Sequence, residues 1–185
     1  MTYSQICESV EKLKKKYDES DPFRLCRAMG IILLMESMGK DPDAVKGFFL
    51  ESKRIRTVTI NSDMPKVIQR IILAHELCHA TNHRNSGIHA FHEVLLFDQT
   101  SQLEKDANLF AAELLLDDQE VFEALNQDTT FFSAASALCV PAELLDFKFR
   151  VMKWKGYKMI EPPINARSNF LKDMELPDDA DNYDC

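Results

Sequence analysis

The chain has little with which to enter a membrane or grip a nucleic-acid backbone. No apolar run approaches the roughly 20 residues a spanning helix needs, and no segment is read as transmembrane. Lysine and arginine number 22 against 30 aspartates and glutamates, a net charge of -8. Non-specific binding to DNA or to an anionic membrane is therefore not expected as the main activity. Met1-Thr2-Tyr3-Ser4-Gln5 lacks a charged stretch followed by an apolar one, so no secretory signal is expected. Cysteine occurs in no CxxC pair. Cys7, Cys26, Cys78, Cys139 and Cys185 are odd in number and dispersed, which predicts reduced thiols in a cytoplasmic protein with no disulfide framework.

What remains is an ordinary globular composition, 45% hydrophobic over 185 residues, enough for one domain with a real core. Ile6, Val10, Leu13 and Tyr17 recur at helical spacing. Asp21 and Pro22 open a second helix that Gly30 ends. Residues 31–35 form an apolar run that predicts a buried strand. Residues 46–50 and 54–60 alternate as paired strands joined near Glu51-Ser52-Lys53, with 54–60 a candidate sheet edge to which a peptide could add. Asn61-Ser62-Asp63 and Pro65 open a helix running to about Asn82. Residues 85–92 read as a loop containing Gly87, and Ser101 with Glu104 as a capping box. Three further helices are expected around 120–125, 130–138 and 141–154. Past Gly156 the chain turns polar and acidic, which predicts a domain over residues 1–160 and a loose acidic tail over 161–185.

The third helix carries His75-Glu76-Leu77-Cys78-His79. Four residues of helix set both imidazoles on one face, about 6 Å apart along the axis. That is close enough for one metal ion, with Glu76 beside them as a general base. Apolar flanks from Ile71 to Ala74 mark the helix as internal, and burying such polar groups together is costly unless they share a task. All five histidines (His75, His79, His83, His89, His92) fall in this window. Zinc suits two imidazoles, a carboxylate and an open position, so the motif predicts a zinc-dependent peptidase. His83, His89 and His92 are read as surface or cleft-rim residues, and Cys78 as a packing residue.

A catalytic zinc needs a third protein ligand. The extended pattern HExxHxxGxxH is disfavoured, because Asn82 and Asn85 stand where its glycine and histidine belong. Glu104 and Asn108 share a helix face, and Asn108 could accept the remaining ring N–H of a ligating histidine. With Glu104-Lys105-Asp106-Ala107-Asn108-Leu109-Phe110-Ala111-Ala112-Glu113-Leu114-Leu115, the HExxH segment resembles the ImmA/IrrE metallopeptidases, which are similar to glutamate-ligand zincins. The likeness covers roughly residues 20–155 and extends weakly to Asp21-Pro22, Lys46-Gly47-Phe48 and Ile60-Asn61.

The resemblance implies that His75, His79 and Glu104 bind zinc, that Glu76 is the base, and that the substrate is a helix-turn-helix repressor. Asp106 stands where a glutamate is frequent, so either Glu104 or Asp106 could reach the metal. Glu104 is preferred, since aspartate is shorter and the Asn108 relation fits Glu104.

Lys148, Arg150, Lys153, Lys155 and Lys158 follow a turn at Leu138-Cys139-Val140-Pro141 that resembles a helix-turn-helix. They read as a solvated helix end or as a docking surface. The expectation is an α+β zincin-like single domain, with N-terminal helices, a small largely antiparallel sheet, the HExxH helix and a helical C-terminal half. Its function would be zinc endopeptidase action on a protein substrate, without direct nucleic-acid or membrane binding. The alternative is a non-catalytic zincin-fold module that binds or sequesters a DNA-binding regulator.

Overall fold

Two capped helices begin the chain. In α1 (Tyr3–Tyr17) the Thr2 hydroxyl accepts from Gln5 N–H, and the Gln5 side chain accepts from Thr2 N–H. Ile6, Cys7, Val10 and Leu13 make the buried face. In α2 (Pro22–Ala28) the Asp21 carboxylate accepts from Arg24 N–H at 2.9 Å, and Gly30 at φ 65 turns the chain out of the helix. The coordinates are a computed structural model that describes residues 1–41, 43–82, 102–126, 130–159, 162–168 and 170–171.

Strands β1 (Ile32–Glu36), β2 (Gly47–Ser52) and β3 (Ile55–Asn61) form a mixed sheet in the order β1-β3-β2. β1 runs parallel to β3, and β2 pairs antiparallel with it through a hairpin whose turn residues Lys53 and Arg54 both have positive φ. Two expectations are corrected here. β3, which holds residues 54–60 almost entirely, is the central strand, so it cannot be the edge that accepts a peptide. β1 is a strand as expected but is not buried: Ile32 is 50% and Leu34 41% exposed. Its apolar run resembled a core strand, yet the buried helix α3 (Lys66–Asn82) packs on β2 and β3.

Asn61 closes the sheet. Its Oδ1 accepts from Met38 N–H and Asp63 N–H, and its Nδ2 donates to the carbonyls of Gly39 and Val45. One fully buried amide thereby ties the loop between β1 and β2 to the entry of α3 (Lys66–Asn82). Gln69 reinforces the entry by donating to the carbonyls of Ser62 and Met64.

Residues 71–80 of α3 are all buried, as a helix inside the core must be. The sheet reaches α3 closely at Gly47, where a Cβ would stand 2.5 Å from Ile72 Cγ2 and 3.0 Å from the Thr59 carbonyl. α4 (Gln102–Leu115) packs on α1, α3 and α7 (Ala142–Trp154), while α5 (Asp118–Asn126) and α6 (Phe131–Ala137) complete the helical half. The fold is α+β and zincin-like, as expected, with seven helices among the described residues. None of them is long and apolar enough to cross a membrane.

Cys7, Cys26 and Cys78 are free and buried. Burial pushes the Cys7 and Cys26 thiols up to about 11, which keeps them protonated.

Candidate metal centre

His75 and His79 stand one turn apart on α3, and α4 lies along that helix with Glu104 in its first turn. The two Nε2 atoms are 3.2 Å apart. Glu104 Oε2 lies 3.1 Å from His75 Nε2, and Oε1 lies 3.6 Å from His79 Nε2. One ligand atom from each residue falls within 4.8 Å of the others. Both histidines are buried, and the Glu104 side chain is 16% exposed.

Asn108 sits one turn after Glu104 and is wholly buried. Its Oδ1 is 2.8 Å from His75 Nδ1, while its Nδ2 donates to the Ser168 carbonyl at 2.6 Å. Because the NH2 group is committed to a carbonyl, the amide oxygen faces the ring, and Nδ1 carries the proton it donates. His75 Nε2 then presents a lone pair toward a carboxylate and a second imidazole. Electron-rich atoms so crowded and so dry repel one another unless a cation lies between them. Two imidazoles and a carboxylate are also a zinc donor set, so these residues fit that ion.

Glu76, beside His75, is 3% exposed. Cys78 lies between the histidines in sequence, and burial pushes its thiol up to about 12, against a smaller lowering by its hydrogen bond with Asn82. It stays neutral, and packing is the role its setting supports. Asp106 is turned elsewhere: it pairs with the Met1 amine and accepts from Gln102 Nε2 at 2.6 Å. His83, His89 and His92, the loop over 85–92 and the Ser101 cap lie outside the described residues.

The basic row on α7 is not a continuous surface. Lys148, 1% exposed, bonds to Glu113 at 2.7 Å and to Asp118 at 2.5 Å. Lys155 bonds to the same two carboxylates at 2.6 and 2.8 Å, closing a ring of two cations and two anions between α4, α5 and α7. Burial raises the Asp118 carboxyl, but hydrogen bonds from both lysines outweigh it and hold the group below its ordinary range. Burial likewise disfavours the Lys155 ammonium, and its bonds to Asp118 and Glu113 prevail to raise it. Arg150 pairs with Asp146.

Sequence reasoning missed the segment after α7. Residues 162–168 and 170–171, expected to be loose, lie partly against the body. Asp146 accepts from Ala166 N–H at 2.8 Å, and Arg150 donates to the Ala166 carbonyl and to Asn165 Oδ1, both at 2.7 Å. Phe170 is buried, with its ring centroid 5.6 Å from that of Phe147. The signal available was Phe170 itself, a large apolar ring in an otherwise polar stretch. The remainder of the acidic tail, residues 172–185, lies outside the described residues.

The family Peptidase_M78, IrrE N-terminal-like domain, matches residues 26–150. The chain is also similar to a protein of Bacillus phage phi105 named "Uncharacterized immunity region protein 2", with 32% identity over 146 residues, 79% of this chain and 90% of the relative.

Proposed function

The chain belongs to the Peptidase_M78 (IrrE N-terminal-like) family, the ImmA/IrrE metallopeptidases, and on that premise we propose that it is a zinc endopeptidase whose substrate is a helix-turn-helix repressor. The observation that carries the catalytic part is the convergence of His75, His79 and Glu104 within 4.8 Å. His75 and His79 are the imidazole ligands and Glu104 is the carboxylate ligand. Asn108 holds the His75 ring in its Nδ1–H form. Asp106 is not a ligand in this reading, because both its oxygens are engaged with Met1 and Gln102.

A zinc ion held there supplies Lewis acidity toward water and toward the scissile carbonyl. The chain's own acid–base work falls to Glu76. Its carboxylate takes a proton from the attacking water and returns it to the departing amine, so that the amide is not required to expel an anion. Little water competes at a group 3% exposed, which strengthens its hydrogen bonds to the reacting atoms. The substrate assignment is supported by the family resemblance and by the phage relative, whose name places it in an immunity region.

The test is Glu76→Gln in a protein assayed for both zinc content and cleavage of candidate repressors. The variant is expected to keep its zinc and to lose hydrolysis by at least the 10²-fold typical of a general base. Undiminished cleavage would remove Glu76 from the mechanism, and metal-free protein cleaving at the wild-type rate would remove zinc.

A further inference from the structure

The segment formed by residues 162–168 and 170–171 lies outside the 26–150 match, yet it reaches the interior of the candidate centre through the Ser168 carbonyl. That carbonyl is anchored on both sides. Two residues before it, both backbone groups of Ala166 are held by α7: Asp146 Oδ2 accepts from its N–H, and Arg150 donates to its C=O. Asp146 is 2% exposed, so the clamp is internal. Two residues after it, Phe170 is seated against Phe147, itself wholly buried, and the Arg150 guanidinium lies 4.7 Å from the Phe147 ring centre.

Asn108 reads this strap. An amide can be turned end for end at little steric cost, and only its partners decide which end faces which. The Ser168 carbonyl accepts, so it selects the NH2 end of Asn108, and the oxygen is left for His75 Nδ1. With the amide reversed, NH2 would face Nδ1, and the ring proton would move to Nε2. Nε2 is the atom 3.1 Å from Glu104 and 3.2 Å from His79 Nε2, and a protonated nitrogen there cannot bind a metal.

We infer that the strap formed by residues 162–168 and 170–171 is a positioning element of the metal centre: through Ser168 O and the Asn108 amide it holds His75 in the Nδ1–H form that offers Nε2 to the metal. This rests on the metal reading given above. Asp146, Arg150 and Phe170 act on the centre only through the strap and touch none of its ligands among the contacts described.

The test uses the full chain with Phe170→Ala and Arg150→Gln, one lesion at each anchor. Zinc affinity is measured by competition with a chromophoric chelator, and the His75 ring form by 15N imidazole spectra of metal-free protein. Each variant is expected to bind Zn2+ ten- to a hundredfold more weakly, the usual loss for an outer hydrogen-bond partner. Each should also show a population with Nδ1 of His75 unprotonated that the wild type lacks. Wild-type affinity and ring form in folded variants would overturn the inference. So would a wild-type protein in which His75 Nδ1 is mainly unprotonated, a measurement that stands even if both variants fail to fold. His75→Ala separates the two claims: undiminished zinc affinity there overturns the metal reading, whereas loss there with unchanged strap variants overturns the strap alone.

Discussion

Replacing Lys148 with methionine tests what the ring of charges between α4, α5 and α7 contributes. Methionine keeps most of the apolar stem and removes the ammonium, so the change is chiefly electrostatic. In the native protein Lys148 is 1% exposed and touches Glu113 at 2.7 Å and Asp118 at 2.5 Å. Without it, one cation, Lys155, faces two carboxylates, and Glu113 is only 9% exposed. Removing one partner of a buried pair costs about 3–5 kcal/mol, because a charge is left uncompensated. Lys155 still reaches both carboxylates, and Asp118 keeps 24% of its side chain in solvent, so the lower end, about 3 kcal/mol, is expected. For a chain of this size that corresponds to a Tm lowered by roughly 6–12 °C. Calorimetry or circular-dichroism melting measures it, and Lys148→Met/Asp118→Asn should recover part of the loss by rebalancing the charge. A loss below about 1 kcal/mol would place the ring among exposed pairs of little consequence and refute the reasoning.

Glu104→Ala protein should be purified with little zinc and Asp106→Ala protein with nearly the full complement; elemental analysis decides, and the reverse order would exchange their roles. Gly47→Ala should cost about 1–3 kcal/mol in denaturant titration, because the new methyl meets Ile72 and, less forgivingly, the Thr59 carbonyl. For pH, Asp118 has its carboxyl lowered in the fold, so its contribution is present above the ordinary carboxylate range near 4 and lost as pH falls through the native value. Lys155 is raised, so its contribution is complete below the ordinary lysine range and lost only in strong alkali. Melting followed from pH 7 downward should therefore decline below about pH 4, and Asp118→Asn should flatten that limb.

The parts of the fold written in local chemistry were legible before any coordinates. Asp21 and Pro22 cap α2, Gly30 ends it, and the HExxH and Glu104–Asn108 spacings place four side chains on two helix faces whatever the tertiary context. What could not be read was set by long-range pairing. Residues 32–36 are apolar enough for a core strand, but side-chain burial depends on what packs on the sheet's faces, and α3 lies over β2 and β3. Residues 55–61 could equally have been edge or centre until the parallel partner arrived from 25 residues upstream. The lysines of α7 looked like a stripe because their acidic partners, Glu113 and Asp118, lie on other helices. Asp106 and Glu104 were both plausible ligands by composition, and the engagement of Asp106 with Met1 and Gln102 was not visible in their spacing.

Asn61 leaves a different lesson about how an irregular stretch acquires a fixed path. The described residues between Met38 and Val45 lie in no strand, yet three of their backbone groups find the complementary partner that a neighbouring strand would have offered. A short side chain bearing two donors and an acceptor is acting as a surrogate for missing peptide units. Aspartate lacks the donors, serine has one, and glutamine carries the same head a methylene further out. The course of that crossing, and with it the angle at which the chain dives toward the histidines, is thus dictated by a vocabulary of one side chain among twenty.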